Sequence, residues 1–468
     1  MKFKAYCRIL SFSLLYAIFT VALIKAGEGG LNKTIITKIR SSFKMDPQLM
    51  AMYNAITNND INDLALNRDL IRNNNELFSH KIKTKGITNQ KSSGRCWLFA
   101  GLNIMRPAVI QKHKLNKFEF SQPYLQFWDK MEKANNFLEY MIQFRDKDPL
   151  DREMEILLRD PIPDGGWWKY VVSLIEKYGV VPIDIMPETK SSENTGMMNK
   201  LLARKLRADA IKIRKLGGEG ASVEKLKEEK EKMLTEIYKM LAMNIGEPPV
   251  EFEWRYEDKD STVSEVKTYT PGSFYTEFVN IDLNQYVSVF SDPTKEYGKH
   301  YALSLSRNMF DGEDIHYANV EIGQLKEMAK KSILHDEPVW FACDVGKDQS
   351  RDLGIMAMDL FDYGAIYNVD MGLSKSEMAL FRESAPNHAM VFVGIDIKDD
   401  KPVKWRVENS WGKDKGNDGY WTLYDSWFDN HVYNVIVLKK YVPEEILEIY
   451  KQDPVILPPW DPMYSLYR

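Results

Sequence analysis

Residues Asn89 to Gly101 read NQKSSGRCWLFAG. A thiol, Cys96, stands at the mouth of an apolar run that reads as a helix, shortly after Gln90. That placement suits a nucleophile. The thiolate is the reactive form, and a free thiol ionises only near pH ~8.5. A helix N-terminus offers unpaired N–H groups and a partial positive charge, both of which favour the anion. Ser92, Ser93 and Gly94 suit the capping position before such a helix. Acyl transfer also needs donors aimed at a developing oxyanion. The Cys96 N–H is one candidate, and the Gln90 amide is well placed to be the other. The rival interpretation is a small buried apolar residue, the commoner fate of a lone Cys. Ser-Ser-Gly-Arg ahead of it is a poor way to build a core.

A nucleophilic thiol needs a base, and the base needs a group to orient it. There are seven His residues. His388 opens the strand-like HAMVFVGIDI directly after SAPN, so it is expected at a strand mouth. His431, in WFDNHVYNV, is its main rival. The others sit in polar surroundings and are expected at the surface. In VKWRVENSWG, Trp405, Val407 and Asn409 alternate with Lys404, Arg406 and Glu408. A period of two puts Asn409 on the inward face, where its amide oxygen could accept an imidazole N–H. The structural alternatives are a core His and a buried Asn closing a turn.

The elements that must position these groups follow from the rest of the chain. It has 468 residues, 44% of them hydrophobic and 12% aromatic, enough to bury a large core in two or three lobes. A net charge of −4 excludes a global basic field for nucleic acid. The three cysteines, Cys7, Cys96 and Cys343, form no CxxC or zinc spacing, so neither a disulfide framework nor a metal is expected. Lys2, Lys4 and Arg8 precede an uncharged run from Ile9 to Ile24. Residues 1–26 therefore read as a signal peptide or an N-terminal anchor, and export is expected over a cytoplasmic or membrane-anchored location.

Residues 31–185 read as mainly helical, with an apolar helix from Cys96 to Ile110 that Pro107 could kink. DGGWW, from Asp164, reads as a turn before a helix that stops near Gly179. Residues 186–330 contain a highly charged helical block at 196–245, broken at GGEG. EFEWRY and YTPGSFY read as short strands and turns. Residues 331–468 are the most strand-like, with strands expected at GYWTLYDSW and HVYNVIVLKKY. The fold class is α+β.

The order Gln90, Cys96, His388, Asn409, with the strings GRCW and NSWG, resembles the papain-like cysteine peptidases. FSQPYLQFWDK, LIEKYGVVP, EPVWFACDVGK and LPPWDPM narrow the resemblance to their bleomycin hydrolase or aminopeptidase C branch. The resemblance implies a two-lobed peptidase enlarged by helical insertions, acting on peptides as an aminopeptidase without a cofactor. Cys96 corresponds to the nucleophile and His388 to the general base and acid. They would form a thiolate–imidazolium pair. Asn409 corresponds to the orienting residue, Gln90 to the oxyanion donor and Trp411 to the indole shielding the Asn–His hydrogen bond. The family further implies a homohexamer and a C-terminal arm in the cleft. On that arm Tyr467 corresponds to the working terminus that holds the substrate's α-ammonium, and Arg468 to a removable extra residue. Trp167 stands where the family usually has Gln, and Pro386-Asn387 where it often has Met-Thr. The alternatives are a nucleic-acid-binding role, resting on the basic part of Lys200–Lys215, and an inactive structural homologue.

Overall fold

A computed structural model of the chain describes residues 29–464. The expected leader, Cys7, Tyr467 and Arg468 lie outside the described residues. Two compact units are distinguished. The smaller contains residues up to Leu66 together with Ala365–Asn368. It is built on helices Lys33–Ser42, Pro47–Asn58 and Ile61–Ala65, each begun by an Asn or Asp whose side chain accepts a backbone N–H of the first turn. Leu31, Ile35, Ile39, Phe43 and Tyr53 stay exposed in it.

The larger unit holds every candidate site residue that is described. Helix α1 (Cys96–Lys112) is buried along most of its length. It carries Pro107 internally, as the sequence predicts. Helices α2 (Gln122–Gln143) and α3 (Trp168–Tyr178) pack beside it, and α3 stops at Gly179, whose φ of 70° is open to glycine. The charged block forms α4 (Gly196–Gly218) and α5 (Val223–Ile245), separated by the expected break.

Among the described residues, twelve strands join in one sheet. Its centre is a run of antiparallel neighbours. They are β1 (Tyr286–Phe290), β2 (Val339–Cys343), β3 (His388–Lys398), β4 (Lys401–Glu408), β5 (Tyr420–Tyr424) and β6 (Val432–Leu438), in the spatial order β1-β6-β2-β3-β4-β5. β2 and β3 are apolar on both faces because helices and further sheet cover them. The indole N–H of Trp340 on β2 donates to the Trp97 carbonyl at 3.1 Å, tying the start of α1 to the sheet.

Several expectations change. TPGSFYTEFV is helical, not extended. Thr270 caps the first turn and Asn280 ends it in the left-handed region. DSWFDNH forms a short helix between β5 and β6. No serine caps α1. Arg95 precedes the helix without a side-chain cap, because the Ser93 hydroxyl instead donates to the Gln90 carbonyl at 2.6 Å. His300 is buried, not at the surface. Lys404 and Glu408 are buried too, although strand alternation assigned them the outward face. Lys404 donates to the Asn75 carbonyl, and Glu408 pairs with Arg106.

Candidate active site

Two loops bring the site together. The backbone of Gln90 donates to the Ser410 carbonyl at 2.8 Å, and Gly412 donates to the Thr88 carbonyl at 3.1 Å. This pairing lays the segment before α1 against the segment that leaves β4. Below it Arg106 on α1 meets Glu408 on β4 at 2.6 Å, both side chains almost fully buried. The helix that carries Cys96 and the strand that delivers Asn409 are thus joined at two levels.

Cys96, His388 and Gln90 line one cavity of about 260 Å³. Its other walls include Gly165, Gly166, Trp167, Trp340, Pro386 and Asn387. The two departures from the family pattern, Trp167 and Pro386-Asn387, therefore both face the cavity. Asn387 also pins the mouth of β3: its amide oxygen accepts the Val345 N–H at 3.0 Å and its amide nitrogen donates to Asp344 at 2.5 Å.

His388 Nε2 lies 2.9 Å from Asn409 Oδ1. The Ser410 N–H also donates to that oxygen at 2.8 Å, which identifies the atom as the amide oxygen. An oxygen can only accept, so His388 carries its proton on Nε2. In the neutral ring this leaves Nδ1 with a lone pair. Trp411 packs on the imidazole with ring centroids 4.9 Å apart, and the Arg351 guanidinium lies 4.7 Å from the indole centroid on Trp411. Asn409 is 1% exposed, so its hydrogen bond is kept from water.

The Gln90 amide is fixed by the same logic. Its nitrogen donates to the Ser93 carbonyl at 2.6 Å, and its oxygen accepts the Ser410 hydroxyl at 2.7 Å. One N–H of the amide remains for a ligand in the cavity. Ser410 therefore touches both Asn409 and Gln90. That link was not read from the sequence, although NSWG displayed the residue.

Burial dominates the electrostatics. It pushes the Cys96 thiol up to about 11, against backbone N–H groups including those of Cys96 and Trp97 that pull it down. It pushes His388 down to about 4, with Asn409 opposing. A lone charge on either group is therefore disfavoured. The expected thiolate–imidazolium pair must draw its stability from the attraction between the two new charges, which is strong where water is scarce. Cys343 lies fully buried on β2 with its thiol directed at the His388 carbonyl, 3.7 Å away, and does not line the cavity. The rival His431 sits elsewhere, paired with Asp348 at 3.2 Å and packed on Trp427. Among the described residues no group of His, Cys, Asp or Glu could hold a metal ion.

Known proteins share both the sequence and the backbone. The profile of the Peptidase C1-like family matches residues 30–464. Bleomycin hydrolase of Rattus norvegicus is 39% identical over 449 residues, 93% of this chain and 99% of that protein. Aminopeptidase C of Streptococcus thermophilus is 38% identical over 439 residues, with shares of 93% and 99%. The crystal structure of PepW from Lactobacillus rhamnosis HN001 has a TM-score of 0.91 at 38% identity, covering 94% of this chain and 99% of that one. With a papain-like fold matched across nearly its whole length, this chain belongs to the Peptidase C1-like family.

Proposed function

We propose that the chain is a cysteine-type aminopeptidase in which Cys96 attacks the scissile carbonyl. The observation that carries the reading is the His388–Asn409 hydrogen bond, beside a thiol in a shared cavity. His388 takes the thiol proton and later gives it to the leaving amine, while Asn409 holds the ring and Trp411 covers it. The oxyanion rests on the free Gln90 N–H and the Cys96 N–H. Water then releases the acid from the thioester. The relatives named bleomycin hydrolase and aminopeptidase C support the same activity. Nothing favours a nucleic-acid role. In the basic stretch on α4, Lys205 pairs with Asp209 and Glu236, and Lys212 with Glu229.

No Asp, Glu, Lys or Arg lines the cavity among the described residues. The anchor for a substrate's α-ammonium must then come from outside that lining. The C-terminal arm fits the need. Tyr464 stacks on Trp167 with centroids 6.4 Å apart, which brings the arm to the cavity wall. A terminal carboxylate beyond it, at Tyr467 once Arg468 is trimmed, would supply the counter-charge. Association of copies is supported by the exposed apolar side chains of the smaller unit, Leu31, Ile39 and Phe43 among them, and a homohexamer is what the family resemblance implies. Export is supported by the leader-like residues 1–26, and intact mass of the mature protein would test it.

The experiment for the catalytic reading is Cys96→Ala. Folding should be unchanged and hydrolysis of aminoacyl amides should fall by at least about 10³-fold. A variant that keeps more than roughly a hundredth of wild-type turnover would sink the reading.

A further inference from the structure

We propose that Asp164, held by Lys130, is a positioning residue that clamps the loop carrying Cys96 to the Gly165–Gly166 edge of the cavity. The inference rests on reading Cys96 as the nucleophile and adds a residue that this reading does not contain.

The contacts straddle the nucleophile. Asp164 Oδ2 accepts the Gly94 N–H at 3.0 Å and the Thr195 hydroxyl at 2.5 Å. The Asp164 carbonyl accepts the indole N–H of Trp97 at 2.8 Å. Gly94 lies two residues before Cys96, and Trp97 directly follows it. Asp164 also opens the run Gly165-Gly166-Trp167, all three of which line the cavity. One residue thus grips both sides of the thiol's loop and the edge that faces it.

Two buried lysines on α2 hold the clamp. Lys130 Nζ is 2.7 Å from Asp164 Oδ1 and donates to the Ile162 carbonyl at 2.9 Å. Lys133 donates to the carbonyls of Pro163 and Gly165, at 2.9 and 2.7 Å, and is balanced by Asp129 at 2.7 Å. The segments touch so closely that side chains are excluded. A Cβ on Gly94 would stand 2.6 Å from the Asp164 Cβ, and one on Gly166 would stand 2.4 Å from the Trp97 indole. Oxyanion donors lose their effect when displaced by a fraction of an ångström, so a loop set by its neighbours in this way bears directly on rate.

The charges explain why a lysine is needed. Asp164 faces Lys130, Lys133 and the Asp160 carboxylate, while Cys96 faces His388 and the field of Asp164. Burial pushes the Asp164 carboxyl up, but Lys130 and the Thr195 hydroxyl hold it well below the usual range. It is therefore an anion at working pH. Left alone, that anion would oppose a thiolate on Cys96, and it already pushes the thiol up. Lys130 offsets it.

The test uses the full chain with Asp164→Asn and Lys130→Met. The first keeps the shape but presents an amide to the Lys130 ammonium. The second leaves the carboxylate without its cation. Both should lower kcat by about tenfold or more with KM changed less than threefold. The pH midpoint of Cys96 alkylation, read by peptide mass, should move down in Asp164→Asn and up in Lys130→Met. A purely structural defect would not split the two in opposite directions. Turnover within twofold of wild type for Asp164→Asn, or midpoints moving the same way, overturns the proposal. If Lys130→Met does not fold, Asp164→Asn decides alone by the same two readouts. Cys96→Ala separates the premises. If it stays active, the nucleophile assignment fails. If it is inert while Asp164→Asn behaves as wild type, only the clamp fails.

Discussion

One nitrogen of His388 is already committed. Asn409 Oδ1 accepts the hydrogen bond from Nε2–H, so any proton traffic with Cys96 runs through Nδ1. The thiol depends on that partner, because burial pushes it up to about 11 in spite of the backbone N–H groups that pull it down. Remove the imidazole and the ion pair cannot form. In His388→Ala the alkylation midpoint of Cys96 should climb toward 11, the reactive anion lying above the midpoint and the inert thiol below it. At pH 7 roughly one thiol in 10⁴ would then be ionised, so iodoacetamide labelling should almost cease. His431→Ala should label as wild type, since that ring is bound to Asp348 and lies away from the cavity. Equal labelling of His388→Ala and wild type near pH 6 would overturn the assignment. Much of this site was legible, because Cys, His, Asn and Gln act through chemistry that their residue types display. The supporting residues were not. Asp164, Lys130 and Ser410 look like ordinary surface or turn residues in one dimension, and only the meeting of distant loops gives them partners.

At the scale of elements, the sequence reveals what is periodic and hides what is tertiary. α1, the α4–α5 block and the strand opening at His388 follow from apolar runs and glycine stops, whereas the strand that alternation begins at Val403 opens two residues earlier, at Lys401. Alternation failed at β4, where Lys404 and Glu408 are as buried as Trp405 and Val407. Both faces of that strand are covered, so period two no longer separates inside from outside. Arg106 and Glu408 show the consequence. Arg106 also donates to the carbonyls of Thr84 and Gly86 and to the Asn103 amide oxygen. Glu408→Leu would leave that guanidinium buried without its carboxylate and should cost about 3–5 kcal/mol in unfolding experiments. Arg106→Met combined with Glu408→Leu should recover most of that loss, because an apolar pair of similar volume avoids the desolvation of both charges. Denaturant titration of the two variants checks it. A double variant no more stable than Glu408→Leu would show that the contacts of Arg106 to the Thr84 and Gly86 carbonyls, not the ion pair, carry its stabilising effect.

For the whole molecule, the proposals to be tested are that copies assemble and that a C-terminal arm limits the substrate. The smaller unit exposes Leu31, Ile35, Ile39 and Phe43, apolar surface that a lone copy would leave in water. Light scattering should give roughly six times the chain mass of 54.4 kDa, and a particle near 54.4 kDa would exclude the hexamer. The arm is the sharper case. Trp167 forms part of the cavity wall, and Tyr464 stacks on it. Tyr464 backs that wall without itself lining the cavity. In the proposed reading the α-ammonium is held by a terminal carboxylate beyond Tyr464, which agrees with a cavity lined by no acidic side chain among the described residues. A charge pair at a fixed distance from the nucleophile acts as a ruler, admitting one residue past the carboxylate. Deleting Ser465 to Arg468 leaves Tyr464 to stack on Trp167 and draws the terminal carboxylate back by three residues from Tyr467, out of the ruler's place. The truncated enzyme should lose aminopeptidase turnover through a raised KM and gain cleavage within N-acetylated peptides, which wild type should leave intact. Product mass spectra distinguish the two modes. Unchanged specificity after the deletion would mean that some other group holds the amine, and intact mass showing Arg468 retained in fully active enzyme would remove the trimming step.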